Sequence, residues 1–366
     1  MIWFFVSLQI FLGQIVIRKF FVSALLLLLT TLSAFRYYVG SDFTNYVILF
    51  DTAKVGNFVP VEPSFSLLSE LLGSLGFNFQ AIIVLYSVLT MLFIFMGLRG
   101  ISKRHSFLSI TLLFVYLTFY FPSMSIMRQA LAAAIVFWAT ITFLYKNKYF
   151  TYFLFVLLAS FFHFSAILFL FSYLLKAVKF SRVIYLLCIF IALLLGATVF
   201  RDILLNVMNV IGFSYKNHLN HEDGGTVSLV FIINTFILCS MFIFIIRNGV
   251  SNFNLNSRFL VNIIFFLIIV RMLSLEFVVF NRVGSIYTVF LPLFIYEFVY
   301  RKLKNDSRLI FMIFLIGLFF MNDFFRQAKD YSYYQYSINF CLIGEPCPIQ
   351  LFGEQDPRFI RNNEEW

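Results

Sequence analysis

The sequence predicts an all-α polytopic membrane protein with about twelve transmembrane helices. Three observations lead there: too few charges for a soluble globule, a series of long apolar runs, and basic residues that alternate along the chain. Of the 366 residues, 61% are hydrophobic and 12% are charged, against about 25% charged in soluble domains. That leaves too little polar surface to cover a soluble core, so lipid has to cover the rest.

Apolar runs lie at residues 1–17, 20–35, 80–98, 106–121, 124–144, 149–162, 164–175, 183–200, 226–246, 259–276, 283–300 and 309–321. A crossing needs roughly 20 apolar residues, so most runs suffice alone. The pair at 149–175 is short for two crossings, and one long tilted helix is the alternative. A single helix would invert every later segment against the charge rule, so a tight hairpin with His163 at its tip is expected.

Charge sets the orientation. Arg18, Lys19, Arg99, Lys103, Arg104, Lys146, Lys148, Lys176, Lys179, Arg182, Arg247, Arg258, Arg301, Lys302, Lys304 and Arg308 fall between alternate runs, with only Glu297 and Asp306 as acids beside them. The remaining segments hold 11 bases and 15 acids. Lysine and arginine mark the cytoplasmic side, which places both termini outside. The net charge of +10 is spread between apolar runs rather than along one face, which excludes nucleic acid as the partner. The stretch Met1–Ile17 has no positive leader and no small-residue cleavage site, so it is expected to be retained.

The expected organisation is one polytopic domain, residues 1–321, and an outer C-terminal tail, residues 322–366. Residues 36–79 form the longest outer loop, with apolar patches at Tyr46–Phe50 and Ser64–Leu72 suited to short interfacial helices. Cys188 and Cys239 lie in apolar runs as packing residues, while Cys341 and Cys347 in the tail would pair in an oxidising compartment. His218 and His221 offer a metal at most two imidazoles, and His105 is on the inner side. No metal and no cofactor are expected, and no glycine-rich phosphate loop is present in the sequence.

Arginines on the outer side run against the orientation rule and need a reason. Arg36 follows the second run, Arg128 opens the fifth, Arg271 is well inside the tenth and Arg282 begins the eleventh. Each would cost a few kcal/mol within hydrocarbon. For Arg271, pairing with Glu276 or Asp323 would offset that cost. For Arg36, Arg128 and Arg282 the choice is between local pairing and a shared anion site, since guanidinium forks match phosphate oxygens. Arg128 also opens a helix, with Ser123 or Ser125 as cap, so free backbone amides would add to the attraction. Two groups nearby could move a proton: His163, which titrates near neutrality, and Asp42.

At these residues the sequence resembles the EpsG/Wzy-type O-antigen and exopolysaccharide polymerases. The likeness runs from about residue 36 to 300, through Arg36…Gly40-Ser41-Asp42…Tyr46, Glu62-Pro63-Ser64-Phe65, Met127-Arg128-Gln129-Ala130-Leu131-Ala132, Phe162-His163-Phe164-Ser165-Ala166 and Asn281-Arg282…Tyr287. Ser41, Phe43 and Ser64 depart from the usual Thr, Tyr and Gly. The resemblance implies a polymerase of the bacterial inner membrane working at its periplasmic face. It would transfer a growing glycan from undecaprenyl pyrophosphate onto a second lipid-linked repeat unit. Arg128 and Arg282 would then hold the pyrophosphate with Arg36 as a third donor, His163 or Asp42 would activate the acceptor hydroxyl, and Tyr46, Gln129, Arg271 and Tyr287 would bind substrate. A chain-length co-polymerase and a flippase are the implied partners, beside membrane lipids. A lipid-linked oligosaccharide flippase and a membrane O-acyltransferase are the rival readings, the first with binding charge near the midplane.

Overall fold

The computed structural model describes residues 19–40, 42–197, 229–247, 253–275, 281–303 and 336–344, with 307, 310, 311, 314, 346 and 348–352. Among them, five helices are long and apolar enough to cross a membrane and four shorter apolar helices accompany them. The expected run 1–17 and most of 309–321 lie outside the described residues, as do Asp202, His218, His221 and Cys347. The described residues fall into two compact units, one of residues up to Leu170 and from Lys304 onward, the other Phe171–Leu303.

The first unit begins with α1, Lys19–Ala34, followed by the two-residue strand β1, Arg36–Tyr37. The stretch 36–79 folds into two short helices, α2 (Phe43–Lys54) and α3 (Pro63–Ser74), the second started by Pro63 at its first position. They bury Tyr46, Phe50 and Phe65, while Ile48, Leu67 and Leu71 stay exposed. The apolar patches therefore do fall on short helices, with apolar side chains on the exposed face as well as the buried one. Helix α4, Phe79–Ile101, starts at a cap in which Asn78 Oδ1 accepts the Gln80 N–H at 3.0 Å.

Span α5 runs His105–Ser125 and span α6 runs Met127–Lys146. Pro122 lacks an N–H and crowds the carbonyl four residues back, and the preceding turn, Tyr116–Tyr120, is widened into a π-helix. Gly97 of α4 lets Phe137 of α6 approach: a Cβ there would lie 2.6 Å from the Phe137 ring. Helix α7, Tyr149–Phe162, ends at His163, whose extended backbone (φ −159, ψ 126) breaks the helix. The chain then turns back, since Tyr152 Oη donates to the Phe169 carbonyl at 3.0 Å. The reversal at His163 is as expected, but residues 164–175 are not one helix: Phe164–Leu170 is a 3₁₀ segment, and the second unit opens with a six-residue helix α8, Ser172–Ala177, too short to cross as an ordinary span.

The described part of the tail belongs to the first unit. Strand β2, Tyr336–Asn339, pairs antiparallel with β1 and with β3, Pro348–Phe352, giving the order β1-β2-β3. Asn339 donates its N–H to the Phe35 carbonyl at 2.9 Å, and Asn78 Nδ2 donates to the carbonyls of Cys341 and Gly344. The polar stretch is therefore fastened to the ends of α1 and α4. Cys341 is disulfide-bonded.

In the second unit, α9 (Arg182–Gly196), α10 (Leu229–Arg247) and α11 (Leu255–Leu273) meet at an aromatic centre of Tyr185, Phe242 and Phe265, and the span α12 (Arg282–Lys302) packs on α11 through Phe290 and Phe259. Asn262 pins that centre, accepting from the Tyr185 hydroxyl and donating to the carbonyls of Leu175 and Val178. The end of α9 touches α11 through Gly196, where a Cβ would sit 1.9 Å from the Met272 carbonyl oxygen. Backbone cannot yield as a side-chain tip would. Gly196→Ala should therefore lower the melting temperature of the purified protein in detergent by about 5 °C, the scale of an overpacked core. An unchanged melt would show that the two helices slide apart freely.

Candidate functional site

The site is built where α1, the stretch 36–79, the α5/α6 junction and the α7 tip meet. Arg36 stands just beyond the end of α1 and is only 1% exposed. Its Nη1 donates to the Ser33 carbonyl and to Ser87 Oγ at 2.9 Å, and its Nη2 donates to the Met124 carbonyl at 2.9 Å. Ser33 and Met124 are among the last residues of α1 and α5, whose terminal carbonyls lack intrahelical partners and carry the negative end of the helix dipole. The guanidinium is thus compensated by two helix ends. Gly40 closes on the same point, with φ +105 and a Cβ position 3.0 Å from the Met124 oxygen. Arg36, expected as a third phosphate donor, is turned into the protein here and knots the loop to the α5/α6 junction.

At that junction Ile126 (φ −104, ψ 50) interrupts the helix, and α6 starts at Met127. Neither serine weighed as a cap serves. Ile126 is the cap residue with no side-chain cap bond, and Ser123 Oγ donates to the Tyr120 carbonyl. Arg128 follows in the first turn, where a cation is disfavoured by the helix dipole and needs an anion.

That anion is Glu62. Its Oε2 accepts from Arg128 Nη1, and its Oε1 meets His163 Nδ1. The Phe164 N–H lies 3.5 Å from the same Oε1. Side chains of Arg128, Glu62 and His163 are 19%, 14% and 27% exposed, so the cluster is sheltered yet reachable. The Arg128 guanidinium lies 5.6 Å from the Tyr46 ring centre and 5.7 Å from that of Phe65, within cation–π range. Arg128 Nε is buried with no hydrogen-bond partner among the described residues. Gln129 Nε2 reaches Ser165 Oγ at 3.4 Å, tying the first turn of α6 to the segment after His163.

Burial raises the Glu62 carboxyl, but the His163 hydrogen bond and the Arg128 and His163 charges outweigh it and hold it at about 2 against an ordinary 4.5. Glu62 is therefore an anion throughout the physiological range and can only accept. It follows that Nδ1 of His163 carries a hydrogen and that Nε2 of the neutral ring is the basic nitrogen. Burial holds the Tyr46 phenol above its usual value in spite of the Arg128 charge. Asp42 precedes α2 and acts electrostatically on Tyr46, as does Arg36.

Four of the residues singled out from sequence thus gather around one carboxylate or its neighbours: Arg128, His163, Tyr46 and Gln129. The carboxylate itself was missed as a site residue, although it opens the Glu-Pro-Ser-Phe stretch. The usable signal was that an outward arginine at a helix start demands an acid, and Glu62 is fixed by Pro63 at another helix start. Arg282, Arg271 and Tyr287 belong to the second unit. Arg271 lies in the last turn of α11, not deep in a span, where a cation suits the dipole; Glu276 and Asp323, its weighed partners, are outside the described residues. Arg282 is exposed at the start of α12, and Tyr287 is 8% exposed one turn on. Gly284 packs on Val270 of α11, so Arg282 and Arg271 share one end of that unit. Among the described residues, no group of three His, Cys, Asp or Glu could hold a metal.

Fold and site together define a multi-span helical membrane protein with a carboxylate–histidine–arginine cluster at one end of its first unit. The chain belongs to the EpsG family, whose family model matches residues 19–338. No curated protein and no solved structure matches it.

Two predictions follow from these contacts. Because its folded value lies below the ordinary 4.5, Glu62 contributes stability that is complete above that pH and is lost as pH falls toward about 2. Glu62→Gln should melt below the wild type at pH 7, with the gap shrinking as pH falls from 4.5 toward about 2; a constant gap would contradict the ionised pair. Arg36→Ala takes the donor from the buried Met124 carbonyl and leaves the Ser33 carbonyl with Ser87 Oγ alone, and should cost about 3 kcal/mol in detergent unfolding. A variant as stable as wild type would return Arg36 to the substrate.

Proposed function

We propose that this protein is a polysaccharide polymerase that moves a growing glycan from undecaprenyl pyrophosphate to a sugar hydroxyl of a second lipid-linked repeat unit, at the periplasmic face of the bacterial inner membrane. The observation carrying this reading is a guanidinium and an imidazole, Arg128 and His163, brought to one partly open cluster from separate helices. Glycosyl transfer needs both. The acceptor oxygen bonds to the anomeric carbon as the carbon–oxygen bond to the pyrophosphate breaks. The hydroxyl proton passes to His163 Nε2, and the electron pair leaves with the pyrophosphate, whose charge Arg128 stabilises. Asp42 is the alternative base; Tyr46 and Gln129 position sugars, and Arg36 holds the loop that carries them. Arg282, Arg271 and Tyr287 are kept as substrate-binding residues of this proposal.

The disulfide at Cys341, in a segment hydrogen-bonded to Asn78 beside the site, supports an oxidising, external location. Arg271 at a helix end, rather than at mid-span, favours transfer over flipping. The family supports a membrane glycan polymerase; a flippase and a co-polymerase are its proposed partners.

In cells lacking the chromosomal copy, Arg128→Ala and His163→Ala should each reduce polymer ladders about a hundredfold while the protein stays in the membrane. Normal ladders from stably expressed Arg128→Ala would remove the pyrophosphate role. His163→Ala with full activity would pass the base to Asp42.

A further inference from the structure

The Glu62 carboxylate has two oxygens and two partners on different helices. Oε2 is taken by Arg128 at the head of α6 and Oε1 by His163 at the tip of α7. Its backbone is fixed in an extended conformation (φ −60, ψ 142) with Pro63 as the first residue of α3. Such a group does more than neutralise a surface arginine, because it sets the distance between the anion-binding and proton-accepting halves of the site. It also occupies the place on Arg128 that a phosphate oxygen would take, since carboxylate and phosphate present the same acceptor geometry to a guanidinium. Arg128 keeps a spare buried donor, Nε, and the pair is open enough to be reached.

We propose that Glu62 is a positioning residue that holds Arg128 and His163 together at rest, and that a diphosphate group displaces it from Arg128, leaving the carboxylate wholly to His163. This rests on reading Arg128 as the diphosphate ligand. The exchange couples donor arrival to base strength: a carboxylate freed from arginine makes its histidine partner more basic just when a hydroxyl must lose its proton. A diphosphate competes well because it brings more charge than one carboxylate. The charged and titratable groups facing the pair are Tyr46 from α2, Tyr86 from α4 and Arg128 from α6, with Asp42 and Arg36 next outward.

The test uses the full-length protein purified in detergent, titrated with inorganic pyrophosphate and with farnesyl pyrophosphate, together with turnover on lipid-linked repeat units. Glu62→Gln should bind both probes about fivefold more tightly than wild type, since a competing ion pair is gone. Its kcat should fall about tenfold or more, its KM for the donor should fall too, and the acid limb of its pH profile should move to lower pH. A merely structural glutamate would shift neither the limb nor the affinity in that direction. Glu62→Asp, a methylene too short to span both partners, should show the same trend and serves if the amide variant does not fold. Unchanged or weaker binding by folded Glu62→Gln and Glu62→Asp, with Arg128→Gln losing the probes, overturns the displacement and leaves the function standing. Wild-type affinity in Arg128→Gln overturns both.

Discussion

A guanidinium buried where two helices end holds the rest of this site in place. Removing Arg36 from water is costly, and carbonyl groups at the ends of α1 and α5 offset that cost. Those carbonyls have lost their helical partners and would be expensive to bury alone. Each side therefore solves the other's problem: the charge is solvated by backbone, and the backbone by the charge. Ser87 from α4 completes the shell, so one side chain joins three helices to the strand where the tail docks.

That knot explains why a helix can break between Ser125 and Met127. An interrupted helix leaves orphan carbonyls on one side and orphan amides on the other. Arg36 and Gly40 deal with the first set at Met124. The second set forms the positive end of α6, and Arg128 in its first turn adds a full charge to it. The site is thus built electropositive from backbone and side chain together, and an anion is obligatory. Glu62 supplies it from across the loop, bringing His163 along.

Much of this was readable from residue order. Charge alternation located the ends of the helices, and the reversal at His163 followed from refusing to invert the later loops. Arg128 and His163 stood out because a cation at a helix start and a histidine at a hairpin tip lack local reasons. Less legible was anything set by contacts between distant residues. Arg36 and Arg128 look alike in sequence, both outward arginines beside an apolar run, yet one is buried against carbonyls and the other faces a carboxylate. Only the approach of Gly40 to Met124, residues 84 apart in number, separates them. The tail was opaque for the same reason: its polar composition gives no sign that Asn339 donates its backbone N–H to the Phe35 carbonyl and its Nδ2 to Gln80 Oε1, or that Asn78 Nδ2 donates to the Cys341 and Gly344 carbonyls.

The resting carboxylate also bears on selectivity. A bilayer surface is crowded with phosphodiester headgroups, each carrying a single charge on its phosphate, and an unoccupied Arg128 at a helix amino terminus would bind them indiscriminately. With Glu62 in place, an incoming anion must do better than a carboxylate already fixed at the right distance, whose ordering cost was met when the loop folded. A lone phosphodiester gains little over it. A diphosphate, with more charge and more acceptor oxygens, gains both in Coulomb energy and in hydrogen bonds. Under the proposed displacement, the internal acid would set a threshold that separates a pyrophosphate lipid from phospholipid by charge, with no need to recognise the lipid chain.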